Sequence, residues 1–105
     1  MARPTQLSAP AIEESLGEEA LAGWAVVGGK LRREFRFRDF VSAFGFMTQC
    51  ALVAEKMDHH PEWFNVYNRV EVDLTTHDAD GITTLDLELA RAMNEIARAA
   101  GVTPP

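Results

Sequence analysis

The change of apolar spacing at Asp39 constrains the fold of this chain more than any other feature of it. Before Asp39, Leu31, Arg33, Phe35 and Phe37 alternate with Arg32, Glu34, Arg36 and Arg38. A period of two puts successive side chains on opposite faces of a strand, so one face is apolar and the other charged. Arg33 is the exception on the apolar side. From Asp39 to about Met57 the spacing changes. Phe40, Val41, Phe44, Met47, Ala51 and Ala54 recur three and four apart, and Leu52 and Val53 widen the stripe. This is the spacing of one apolar helix face. Gly45 inside that helix costs roughly 1 kcal/mol, which predicts close packing against a neighbour.

The remaining elements arrange themselves around this strand and helix. Trp24 to Val27 is apolar and β-prone, and Gly28-Gly29 accepts the positive φ angles of a tight hairpin into the alternating strand. Trp24 is expected in the core. Pro61 disfavours helical geometry at the residue before it, so the long helix ends near Asp58. Trp63 to Val66 and Arg69 to Leu74 then form a second hairpin about Tyr67-Asn68, with Val70, Val72 and Leu74 on its buried face.

Toward the N-terminus, Ser8 and Pro10 start a helix, with Glu13 and Glu14 near the positive end of its dipole. Leu16, Ala20 and Leu21 supply its buried stripe, and Gly23 ends it. At the other end, a loop from Thr76 to Gly81 leads to a helix with Ile82, Leu85, Leu89, Met93 and Ile96 on one stripe. Gly101 and Pro104-Pro105 stop it. The order is helix, hairpin, helix, hairpin, helix. It predicts an α+β fold, a four-stranded antiparallel sheet with helices packed on one face. Residues 1–7 are expected to be a mobile N-terminus and 8–105 a single domain. So small a sheet leaves edge strands and an open face, which oligomerisation would cover.

Composition narrows the function classes. A chain of 105 residues suits one compact domain. No apolar run approaches the ~20 residues of a membrane span, and Met1 to Pro10 lacks the apolar core of a secretory signal. The single cysteine, Cys50, excludes an internal disulfide and fits a reducing cytoplasm. Its place in an apolar helical pattern suggests packing rather than reactivity. The net charge is −6, and the one basic cluster, Lys30, Arg32, Arg33, Arg36 and Arg38, is broken by Glu34, Phe35 and Phe37. That pattern is a solvated strand face, not the electrostatic footprint of a nucleic-acid binder.

The chemistry is concentrated elsewhere. All three histidines lie between positions 59 and 77: His59 and His60, adjacent after a helix, and His77 after the last strand. With the second hairpin turning at Asn68, they stand at comparable distances from the turn and can meet at one end of the sheet. Imidazole, with its ordinary pKa of ~6.5, gives and takes protons near neutral pH. A catalytic zinc is the rival reading of such a trio. Against it, the side chains of adjacent His59 and His60 diverge in extended backbone, and no cysteine accompanies them.

The spacing Glu55, His59-His60-Pro61, Tyr67, His77, Asp86 is similar to the signature of the pterin-4a-carbinolamine dehydratases, with every fixed position filled. The surrounding EKMDHHPEWFNVYNRVEVDLTTHD and the Phe35, Phe37, Phe40 spacing resemble the family too. Asp80 departs from it, at a place where the family often has glycine. The resemblance implies dehydration of 4a-hydroxytetrahydropterin to quinonoid dihydropterin in tetrahydrobiopterin recycling, without metal or redox cofactor. It implies His59 and His77 sharing the acid and base roles, His60 holding and polarising the substrate, and Glu55 orienting an imidazole. Pro61, Trp63, Tyr67 and Asp86 would line or shape the pterin site. Each also has a plain structural reading: a rigid turn for Pro61, core for Trp63 or Phe64, a hairpin turn for Tyr67, and a helix cap with Thr83 for Asp86. The expected partners are the pterin, further copies in a homodimer or homotetramer, and an aromatic amino-acid hydroxylase in the same pathway. In animals, members of the family also act as dimerisation cofactors of a transcription factor. The Phe40, Phe44, Met47 stripe would serve such a partner, join subunits or lie in the core.

Overall fold

The computed structural model describes residues 4–104. Its helices are Ala9–Leu16 (α1), Phe40–Met57 (α2) and Thr84–Ala99 (α3), and its strands are Ala25–Val27 (β1), Lys30–Arg36 (β2), Glu62–Val66 (β3) and Arg69–Leu74 (β4). The strands form one antiparallel sheet in the order β1-β2-β4-β3, so the α+β fold read from the sequence is the fold observed. Gly28 and Gly29 make the first turn at φ 60° and 79°, values that cost glycine little. Tyr67 makes the second at φ 49°.

The register places Leu31 opposite Leu74, Arg33 opposite Val72 and Phe35 opposite Val70, and this row faces the core. The other face of the sheet is charged. There Arg32 is paired with Glu71 and Asp73, and Arg36 with Glu34. The basic cluster of β2 is thus largely matched by carboxylates. α2 covers the apolar face through Phe46, whose ring centroid lies 4.7 Å from that of Phe35 and 4.9 Å from that of Phe37. Burying a side chain of this size contributes about 1.5–3 kcal/mol, and Phe35 and Phe46 are both fully buried. Trp24 joins this core edge-on to Phe35.

The structure corrects the helix faces. In α2 the buried residues are Ala43, Phe46, Cys50 and Ala54. Phe40, Val41, Phe44 and Leu52 are exposed instead, and Phe40 and Phe44 pair with each other at 5.5 Å. This helix is apolar on both sides, and the side bearing Phe46 among small residues approaches the sheet. Gly45 lies on the exposed side, where a Cβ would meet nothing within 4 Å; no close packing within the chain accounts for it. α1 is capped by Ser8 as expected, but Gly17 ends it, and Glu19–Leu21 forms a separate 3-10 turn. Because the helix starts at Ala9, Glu13 and Glu14 fall beyond its first turn. Ala20 is exposed and Leu21 buried. In α3 the buried face carries Asp86, Leu87, Leu89, Ala90, Met93, Asn94 and Ala97; Leu89 and Met93 are buried as expected, with Ile82 just before the helix, while Leu85 and Ile96 are only partly buried.

Of the N-terminal segment expected to be mobile, residues 1–3 lie outside the described residues; the Leu7 amide donates to the Ile82 carbonyl at 2.8 Å. No helix among the described residues is long and apolar enough to cross a membrane. Asp80 adopts φ 54°, a left-handed conformation that favours glycine.

Cys50 is fully buried, and burial pushes its thiol up from 9.0 to about 12. Only the thiolate is reactive, so near pH 8 a shift of this size cuts the reactive fraction by about a thousandfold. Native protein mixed with a thiol reagent at pH 8 should leave Cys50 unmodified until the chain unfolds.

Candidate active site

The C-terminus of α2 sets the site. Asp58 closes the helix in the left-handed conformation, φ 51°, and the His59 amide donates back to the Ala54 carbonyl at 3.0 Å. The chain then leaves the helix, and Pro61 starts it toward β3. His59 turns inward, 6% exposed, while His60 remains exposed. On the other side, β4 runs into Thr75 and Thr76, and a 3-10 turn, His77–Ala79, follows. The two segments face each other across a cavity of about 210 Å³, lined by Asp58, His59, His60, Thr75, Thr76, His77 and Asp78. All three histidines of the chain border this one cavity.

Each imidazole is paired with a carboxylate. His59 Nε2 lies 2.6 Å from Asp86 Oδ1, His60 Nε2 lies 2.8 Å from Glu55 Oε1, and His77 Nε2 lies 3.1 Å from Glu62 Oε2. The first pair is buried and the other two are largely open to solvent. Asp86 has no exposed surface. Its Oδ2 accepts from the Thr76 hydroxyl at 2.8 Å and from the Thr83 amide at 2.9 Å. The hydroxyls of Thr76 and Thr83 are 2.7 Å apart, and Thr83 Oγ1 also accepts from the Leu85 amide. With Thr83 donating to Thr76 and Thr76 to Asp86, every proton in this buried network has a partner. A carboxylate at Nε2 holds the ring proton there and leaves Nδ1 as the acceptor of the neutral imidazole.

Glu62 carries a second charge partner. Lys30 Nζ lies 2.6 Å from its Oε1, and this hydrogen bond, more than any other contact, holds the Glu62 carboxyl below the usual carboxylate range. A lowered carboxylate pKa means that the pairing is intact above the unfolded value and is lost as pH falls through the folded one.

The residues singled out in the sequence separate into two groups. His59, His60 and His77 line the cavity; Glu55 stands beside it on His60. Asp86 lies behind it, forming both the Thr83 capping box and the His59 contact. Pro61, Trp63 and Tyr67 do not line this cavity. Trp63 packs partly buried on the core, Phe64 is exposed, and Tyr67 sits exposed at the far hairpin turn. Thr76, Glu62 and Lys30 were missed. Thr76 had a signal, since it continues the buried parity of Val70, Val72 and Leu74 with a polar side chain. Glu62 and Lys30 meet only because β2 and β3 both flank β4.

This architecture is shared with a solved structure. The crystal structure of transcriptional coactivator/pterin dehydratase from Brucella melitensis matches with a TM-score of 0.84 and 54% sequence identity, covering 89% of this chain and 99% of that one. Fold and site therefore define an enzyme of the lyase class, a dehydratase. The family model described as Pterin 4 alpha carbinolamine dehydratase matches residues 5–96, and the chain belongs to that family. Two relatives that bear the family's name come from Solibacter usitatus and Rhizobium meliloti. The first is 57% identical over 93 residues, 89% of this chain and 96% of the relative. The second is 55% identical over 97 residues, 90% of this chain and 91% of the relative.

Proposed function

We propose that this chain dehydrates 4a-hydroxytetrahydropterin to quinonoid dihydropterin, with its own histidines as acid and base. The observation that carries the reading is the single cavity bordered by His59, His60 and His77, each ring backed by a carboxylate. In the reaction the C4a–O bond breaks as its oxygen takes a proton and leaves as water. N5 gives up its proton, and the freed electron pair closes the C4a–N5 double bond. Nδ1 of His59, left as an acceptor by Asp86, suits the base that takes the N5 proton. His77, on the opposite wall of the cavity and 3.1 Å from the Glu62 carboxylate, suits the acid that delivers a proton to the hydroxyl. Each transfer is typically worth 10²- to 10⁴-fold, about 3–5 kcal/mol. His60 holds and polarises the substrate, and Glu55 orients its ring. The product would be reduced by a separate enzyme and returned to an aromatic amino-acid hydroxylase. In the same reading the exposed Phe40 and Phe44 of α2 join copies of the chain in a dimer or tetramer.

The test is the decay of 4a-hydroxytetrahydropterin followed by ultraviolet absorbance. Wild-type protein should accelerate it, with no change on addition of a chelator. His60→Ala should raise KM by about tenfold and leave kcat nearly unchanged, the signature of a binding contact. Absence of acceleration by folded wild-type protein would refute the dehydratase reading.

A further inference from the structure

One charged side chain points into the buried face of the sheet. Arg33 is 5% exposed, and its guanidinium carbon lies 4.3 Å from the centroid of the Phe35 ring. Its Nη1 donates to the Ala22 carbonyl at 3.1 Å and to Asn94 Oδ1 at 2.6 Å. Asn94 is itself fixed in this orientation: its Nδ2 donates to the carbonyls of Ala20 and Ala22, and its Oδ1 also accepts from Trp24 Nε1. Arg33 Nε is buried with no hydrogen-bond partner. Among the described residues Arg33 forms no ion pair.

A guanidinium stays protonated in a protein, and a buried charge without a counter-charge is costly. Stacking on Phe35 and the contacts of Nη1 offset part of that cost. They leave Nε, itself enclosed, without a partner, and a guanidinium fork can give parallel N–H donors to one carboxylate or phosphate. Arg33 also lines a cavity of about 230 Å³, whose polar wall includes Asn94, Arg98 and Glu19. Among the described residues Arg98 is paired with Glu95, at 3.1 Å, through two exposed side chains. Such a surface pair is weak and easily exchanged.

We propose that this cavity, which shares no lining residue with the one the histidines border, binds a small oxyanion, a carboxylate or a phosphate, on Arg33 with help from Arg98. The volume suits such an ion; it is below the ~300 Å³ at which drug-sized ligands begin to fit. Glu19 opposes the anion and sets the affinity low.

The test is a titration of the intact protein with inorganic phosphate and, separately, with acetate, at constant ionic strength. The readouts are the Arg33 Nε–H nuclear magnetic resonance signal and the thermal midpoint. Saturable movement of that signal with a matching rise in the midpoint is expected for one or both anions. Acetate alone assigns a carboxylate ligand, and phosphate alone assigns a phosphate. Arg98→Gln, a surface change that leaves the core intact, should weaken binding about tenfold, and Glu19→Gln should strengthen it several-fold. No saturation by either anion, or saturation indifferent to Arg98→Gln, would overturn the proposal.

Discussion

Asp86→Ala should lower the stability of the protein by about 3 kcal/mol and its kcat by at least about a hundredfold. The side chain has no exposed surface and accepts three hydrogen bonds: from His59 Nε2, from the Thr76 hydroxyl and from the Thr83 amide. Removing it leaves buried donors without acceptors, at about 1–3 kcal/mol each. The Thr76 hydroxyl can turn back to Thr83, but the Thr83 amide has no substitute. Thermal unfolding should therefore occur more than about 10 °C lower.

Asp86→Asn separates support of the fold from positioning of His59. The amide matches the carboxylate in size, and its oxygen can take the place of Oδ2, accepting from Thr76 and Thr83. Its NH2 group then faces His59 Nε2 as a donor. The imidazole must move its proton to Nδ1, the nitrogen that the proposed mechanism uses as an acceptor. Most of the stability should return in Asp86→Asn while kcat stays low. Recovery of both would mean that Asp86 only caps α3.

His59→Gln and His77→Gln should each lower kcat by about 10²- to 10⁴-fold and change KM little, since in the proposed mechanism each removes a proton transfer made in the transition state. The pH dependence tells the two roles apart. A base must be deprotonated, so its loss removes the acidic limb of the rate profile; an acid must be protonated, so its loss removes the alkaline limb. His59→Gln should flatten the acidic side and His77→Gln the alkaline side. The reverse pattern would exchange their roles. His77 is exposed, so its replacement should leave stability unchanged, whereas His59, buried on Asp86, should lose some.

Much of the fold was readable because strand alternation is strict where one face is buried. The β2 alternation, the Gly28-Gly29 turn and the limits of α2 appear in the structure nearly where the sequence put them. Helix faces were harder. α2 carries Phe40, Val41 and Phe44 on one side and Ala43, Phe46 and Cys50 on the other, and spacing alone does not say which side meets the sheet. The side that meets the sheet sets one large ring, Phe46, among the small Ala43, Cys50 and Ala54, and that ring packs against Phe35 and Phe37. α3 was read only in part: Leu89 and Met93 are buried as expected, but two polar residues share their face. Asp86 and Asn94 are on its buried face, and polar residues are invisible to an apolar count until their partners, His59 and Arg33, are known.

The site was legible as a cluster but not as a set of pairs. Three histidines flanking one hairpin meet at the same end of the sheet by topology alone. Which carboxylate serves which ring depends on side-chain direction. Glu55, one turn before His59, reaches His60, and Asp86, 27 positions further on, takes His59.

The most direct measurement is the decay of 4a-hydroxytetrahydropterin with wild-type protein and with a His59→Gln, His77→Gln double variant shown to be folded by circular dichroism. Wild type should accelerate the decay, and the double variant should match the uncatalysed rate to within about tenfold, because in the proposed mechanism the two residues act as a unit. A folded double variant that retained the wild-type rate would contradict histidine acid–base catalysis in this enzyme.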